Sequence, residues 1–180
     1  MQKSLTFLFA ALAVGLLTQG CKSPQEESKR YADALDKSGK IGYWNSGLFN
    51  CKHGERTPNA DSPTGYLLEL KDLKFARESK VVPAELGSTF GIIYYLPNTY
   101  TNANARAVYS FPPIKNPDTG KVFTCFERER PLGPQPGLYQ MVYTFAEDYE
   151  LVEGKWTFQL FLKDKLVVER RFTVVRKHTS

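Results

Sequence analysis

From Ile41 onward, apolar and aromatic stretches of five to nine residues recur between clusters of Pro, Gly and Asn. Such punctuation belongs to a chain that folds back on itself in short strands. Strands are expected near Gly42–Cys51, Tyr66–Ser79, Ser88–Leu96, Arg106–Phe111, Val122–Arg128, Tyr139–Phe145, Lys155–Leu162 and Leu166–Val175. The last two are the clearest. Trp156, Phe158, Leu160 and Leu162 alternate with Thr157, Gln159, Phe161 and Lys163, which turns one face toward a core. Lys163-Asp164-Lys165 forms the reversal, and Leu166, Val168, Phe172 and Val174 line one face of the return strand. Arg170 falls on that same face, which predicts either a bulge or a side chain that snorkels toward water. The segments DSPTG (Asp61–Gly65), NPDTG (Asn116–Gly120) and PLGPQPG (Pro131–Gly137) hold the residues that turns require. No strand–helix–strand alternation is present. The fold class is therefore all-β, an antiparallel sandwich of about seven or eight strands.

The segment before Ile41 reads differently. Lys3 gives a short positive start, and Leu5–Leu17 is an apolar run of thirteen residues. That length suits the core of a signal peptide, whereas a membrane-spanning helix needs about twenty residues. Gly20-Cys21 then resembles the lipobox of bacterial lipoproteins, in which the cysteine receives a diacylglycerol and becomes the first residue. Thr18 and Gln19 stand where that motif carries an aliphatic and a small residue; Gly20 and Cys21 match it. Lipidation of Cys21 is the preferred reading, because a free N-terminal thiol in an oxidising compartment would be a liability. Ordinary secretion into the periplasm is the alternative. Lys22 in place of Asp fits export of a lipoprotein to an outer membrane. Ser23-Pro24-Gln25-Glu26 has the form of a helix start, with Tyr31, Ala34 and Leu35 on one side of the segment that Ser38-Gly39 ends. A solvated linker is the other reading of it. The expected organisation is a signal peptide over 1–20, a lipid-anchored tether over 21–41, a sandwich over 42–176 and a tail over 177–180.

Composition adds a core and removes one partner class. Hydrophobic residues make up 42% of the 180 and aromatics 13%, enough for a packed interior. The net charge is +5, and Lys3 is the only charge before Cys21, so about +4 remains beyond it. That charge is mild and evenly spread, and no nucleic-acid-binding motif accompanies it. Nucleic acid is not an expected partner. Setting Cys21 aside leaves Cys51 and Cys125, an even pair in an oxidising compartment. A bridge between them would close a loop of about 74 residues and contribute up to ~4 kcal/mol. Two buried thiols are the alternative, and a metal site at Cys51 and His53 lacks a second ligand pair.

Three segments carry a resemblance: VVPAELGSTFGIIYYL (Val81–Leu96), FPPIKNPDTGK (Phe111–Lys121) and YELVEGKWTFQLFLKDKLVVERRFTVV (Tyr149–Val175). In this order they resemble the bacterial domain-of-unknown-function family 3859, over roughly Gly42 to Val175. The resemblance implies an immunoglobulin-like β-sandwich and secretion, and no catalytic residue. The chain departs from the pattern at Leu96–Arg106 and in its cysteines.

Candidate chemistry is sparse. His53 and His178 are the available histidines, and no nucleophile elbow, zinc-protease helix, phosphate loop or dinucleotide fingerprint occurs. No cofactor, metal site or catalytic set is expected. AEDYE gathers Glu147, Asp148 and Glu150, and paired carboxylates can hydrolyse glycosides; a charged loop is the simpler reading. FERER (Phe126–Arg130) places Glu127 and Glu129 on one face and Arg128 and Arg130 on the other, as a strand edge that resists aggregation would. The candidate ligand-binding residues are Tyr95, Asn98, Tyr100, Asn102 and Asn104, since Tyr offers rigid contact area and Asn adaptable hydrogen bonds. As a recognition surface this segment would stand at one end of the sandwich with Tyr100 exposed; in the alternative reading Tyr94 or Tyr95 is core, the Asn residues serve turn geometry and Tyr100 packs under the loop. The function read from these patterns is a non-enzymatic, membrane-tethered module of the bacterial cell envelope that binds an envelope protein or a glycan, or else serves structurally as a spacer or assembly subunit. A carboxylate-dependent envelope hydrolase is the alternative.

Overall fold

The computed structural model describes residues 24–100 and 103–176. The expected signal peptide, Cys21, Asn102 and His178 lie outside the described residues. Among the described residues, helix α1 (Pro24–Ser38) precedes nine strands: β1 (Gly42–Pro58), β2 (Tyr66–Glu78), β3 (Val81–Pro83), β4 (Thr89–Leu96), β5 (Asn104–Lys115), β6 (Val122–Pro131), β7 (Gly137–Thr144), β8 (Gly154–Leu162) and β9 (Lys165–Val175). Gly39 ends the helix at φ 63°, a conformation that glycine adopts without steric cost. The helix is seated against the sheet. The Tyr31 hydroxyl donates to the Tyr43 carbonyl at 3.3 Å, and its ring lies 5.6 Å from that of Trp44.

Two sheets form the sandwich, ordered β2-β1-β4-β7 and β3-β9-β8-β5-β6. Their pairings are antiparallel except β3 with β9, which is parallel. β3 is the strand that the alternation did not predict. It has three residues, and Pro83, lacking a donor, is tolerated because the strand lies at a sheet edge.

Trp156, Phe158, Leu160 and Leu162 all point inward, as their period requires. Phe90 sits among Phe145, Trp156, Phe158 and Phe172 with ring centroids 5.4–5.5 Å away. Such aromatic pairs add about 0.5–1.5 kcal/mol each beyond the area they bury. The β8–β9 turn has Lys163 at φ 48° and Asp164 at φ 60°, the two left-handed residues of a hairpin reversal that matches strand twist. Neither expectation for Arg170 holds as stated: it pairs in regular register with Phe158, and the bulge lies nearer the turn. The register shifts between Leu160 and Phe161, opposite Val168 and Leu166, which turns Leu166 outward. Arg170 itself stays on the inner face and crosses to the other sheet, where its Nε donates to Ser46 Oγ at 2.9 Å and its guanidinium lies 5.4 Å from the Tyr43 ring.

β1 is longer than its apolar content suggested. Gly42–Phe49 pairs with β4, and the strand then continues beyond β4 through two register shifts, paired only with β2. This outer half of the β1–β2 hairpin is an arm, and it is held to the rest of the domain by polar contacts. Arg56 lies 3.2 Å from Glu147 and 4.4 Å over the ring of Tyr66, whose hydroxyl donates to Glu147. At the arm's tip the Pro63 carbonyl accepts from Asn116 Nδ2 at 2.9 Å. The buried Asn116 also accepts the backbone N–H groups of Asp118 and Thr119 through Oδ1, which closes the NPDTG turn.

Candidate binding cleft

The residues singled out from sequence are dispersed. Tyr95 is buried in β4, Asn104 is exposed at the start of β5, and Tyr100 is half-buried against the core instead of standing out. Asn98 is exposed, and its backbone N–H donates to Asp36 of α1 at 2.7 Å. The Tyr/Asn segment is therefore fastened to the helix at this end.

The expected Cys51–Cys125 bridge is absent, and both thiols are free. Cys51 belongs to the four-stranded sheet and reaches Thr89 Oγ1 of the adjacent strand at 3.3 Å. Cys125 is exposed on β6 of the other sheet. Its neighbour Phe126 is the buried one, so Cys125 faces away from the partner sheet. Spacing in sequence carried no information on which sheet each cysteine joins. Among the described residues no cluster of three His, Cys, Asp or Glu could hold a metal, and His53 is exposed on the arm.

Of the AEDYE acids, Glu147 and Glu150 are engaged in structural bonds. Glu150 is 1% exposed and accepts from the Tyr143 hydroxyl and from the backbone N–H groups of Ala146 and Glu147 at 2.8 and 2.9 Å. Glu147 is held by Arg56 and Tyr66. Burial raises the Glu150 carboxyl above the usual range, against the pull of its three donors. A raised acid is protonated more readily folded than unfolded. Stability from this group is thus full below the unfolded value and declines as pH rises through the folded one. Urea melts of the wild type and Glu150→Gln, from about pH 4 to about pH 8, should show the wild type losing stability relative to the variant as pH rises. A parallel pair of curves would contradict this.

Between the sheets, at the side where β6 and β7 form their outer strands, a cleft of about 90 Å³ opens beneath the arm. Leu68, Leu70 and Val142 line it from the four-stranded sheet, and Tyr109, Phe126, Arg128 and Arg130 from the five-stranded one. Alternation along β6 puts the two arginines on the same face as buried Phe126. Arg130 donates to the Gln140 carbonyl of β7, and among the described residues no carboxylate pairs with either guanidinium. Burial, then the like charge of Arg130, pulls Arg128 below its ordinary value. Both arginines act on the buried Tyr109, whose hydroxyl burial pushes upward. The cleft thus combines apolar side chains with polar ones, Tyr66, Tyr143 and Glu150 among them, and with two guanidinium groups that pair with no carboxylate among the described residues. Sequence reading placed these arginines on one face; it missed that the face is the inner one.

Two sheets packed face to face, ordered β2-β1-β4-β7 and β3-β9-β8-β5-β6, form an immunoglobulin-like β-sandwich. A solved structure of that class is similar: an immunoglobulin-like protein from Pseudomonas aeruginosa, 28% identical, with a TM-score of 0.55 over 76% of this chain and 93% of that one. The chain belongs to the family described as domain of unknown function DUF3859, which matches residues 37–174. No curated protein matches it.

Proposed function

We propose that the chain is a non-enzymatic binding module of the bacterial cell envelope. It is held to a membrane by lipid on Cys21 and engages an envelope protein or glycan through the cleft between β6 and β7. The observation that carries this reading is the pair of guanidinium groups, Arg128 and Arg130, with no paired carboxylate among the described residues, beside the apolar Leu68, Leu70, Val142 and Phe126 in a concave surface of mixed lining. Binding sites combine such a surface with a few converging polar groups. The glycan-hydrolase alternative has less support. It needs two available carboxylates roughly 5–10 Å apart, whereas Glu147 and Glu150 hold the arm and the turn. The anchor rests on the apolar run Leu5–Leu17 and on Gly20-Cys21. Several acyl chains, at ~0.8 kcal/mol per buried CH₂, would make it effectively permanent, facing the periplasm from the outer membrane.

One experiment addresses both parts. A photo-crosslinking amino acid at Leu68, inside the cleft, should capture a defined envelope component in intact cells, while the same group at exposed Thr173 should not. Cys21→Ser should block acylation, release the chain from membranes and remove the Leu68 product. Equal labelling from both positions would remove the cleft from the reading. An unacylated wild type found in the soluble periplasm would remove the anchor.

A further inference from the structure

β6 pairs with β5 on one side, and it is the terminal strand of its sheet among the described residues. The N–H and C=O groups along its other edge are the kind of row that another strand can pair with. What distinguishes this edge is its charge pattern. Phe126, Arg128 and Arg130 face the opposite sheet, while Cys125, Glu127 and Glu129 face outward. Along β6 itself, positive charge is thus on the inner face and negative charge on the outer one, where Arg106 of β5 also pairs with Glu127 at 3.3 Å.

That separation has two effects. If two copies joined through β6 as antiparallel strands about a two-fold axis, each face would continue into the same face of the other copy. Arginines would then oppose arginines and glutamates would oppose glutamates, and like charges directly opposite destabilise a strand pair. The edge therefore disfavours self-association. The same pattern is complementary to a strand with acidic side chains on its inner face and basic ones on its outer face, which gains from every opposed pair. The cleft provides room inside, with Tyr109 and Phe126 to receive an apolar side chain. Residues 1–23 and 177–180 of this chain contain no Asp or Glu. Neither terminal segment can supply the acidic side chains.

We infer that β6 is a docking edge for an extended segment of a partner protein, which adds antiparallel to β6. Its acidic side chains face Arg128 and Arg130, its basic ones face Glu127 and Glu129, and an apolar one covers Phe126. This rests on the binding-module reading and gives that module's partner a sequence pattern. Edge addition draws affinity from main-chain bonds and specificity from alternate side chains.

The test uses the full chain in detergent and two labelled peptides of identical composition. Acetyl-Glu-Lys-Glu-Lys-Val-Thr-amide opposes each charge of β6 with its complement; acetyl-Lys-Glu-Lys-Glu-Val-Thr-amide opposes each with its like. Fluorescence anisotropy should show the first binding at least about tenfold more tightly than the second, with the gap narrowing as salt rises. The double variant R128E/R130E should lose or reverse the preference. R128E alone, which leaves the Arg130–Gln140 bond in place, should shift it in the same direction, with folding of both checked by circular dichroism. Equal affinity for the two peptides, or a preference unchanged in the variants, would overturn the inference. Dimerisation of the wild type abolished by R128E would also overturn it, by giving the edge to a second copy. If the peptides are not distinguished while Leu68 still crosslinks a partner, the strand pattern fails and the binding module stands. If both experiments are negative, both fall.

Discussion

Trp156→Ala is expected to lower the stability of the domain by about 3–5 kcal/mol, the cost of truncating a large aromatic in a packed core. Trp156 has no exposed surface and lies 4.8–5.5 Å, ring to ring, from Phe90, Phe111, Tyr143 and Phe145. Two of those rings come from the four-stranded sheet and one from the strand beside β8, so the indole joins both layers. Its Nε1 also donates to the Val152 carbonyl at 3.3 Å. Trp156→Phe should cost less, because a ring remains and the chief losses are volume and that hydrogen bond. Urea melts of the three proteins check this. A loss below about 1 kcal/mol for the alanine variant would mean that the core collapses around the gap, contrary to the packing described.

Gly91→Ala is expected to be as damaging, although it adds a single methyl group. Gly91 lies in the middle of β4 at φ 154°, a region that other residues rarely enter. A Cβ there would lie 2.1 Å from the Met141 carbonyl oxygen and 2.7 Å from Val142 Cα, both backbone atoms of β7. Side chains cannot relieve that overlap; β4 and β7 must separate. A loss of about 3 kcal/mol or more follows from backbone strain combined with steric overlap. Because β7 borders the cleft, the variant should also lose amide-exchange protection in Gly137–Thr144 before the rest of the domain does. Wild-type stability, or protection lost uniformly, would count against this account.

Sandwich architecture was legible in the sequence because its cause is local. Alternation in Lys155–Leu162 is sufficient to orient Trp156 and Phe158, and it placed Arg170 on the inner face, where it crosses to Ser46. β3 was not legible, since three residues carry no period and their pairing depends on residues some ninety positions later. The arm escaped for a different reason. His53–Pro58 is polar, and it stays extended through pairing with β2 instead of through burial. For the cleft, the faces of FERER could be read, but which face is inner depends on which strands become neighbours. The cysteines failed on the same point. Tyr100 shows the limit of reading composition as exposure, since a Tyr/Asn-rich segment looks like a recognition loop whether its rings point out or in.

The parallel pairing of β3 with β9 bears on the order in which this chain can fold. Val82 aligns with Val174, and Phe90 packs against Trp156, Phe158 and Phe172, so the first half of the domain depends on its last strand. A chain emerging from its N-terminus, at a ribosome or through a membrane pore, can assemble β1, β2, β4 and β7 early. Their inner face must then wait, uncovered, until Val175 has passed. Contacts so distant along the chain close slowly, because loop entropy is lost before burial returns it. Over that interval the half-formed sheet is exposed to aggregation, and a chaperone that covers apolar strands would be of most use to it then.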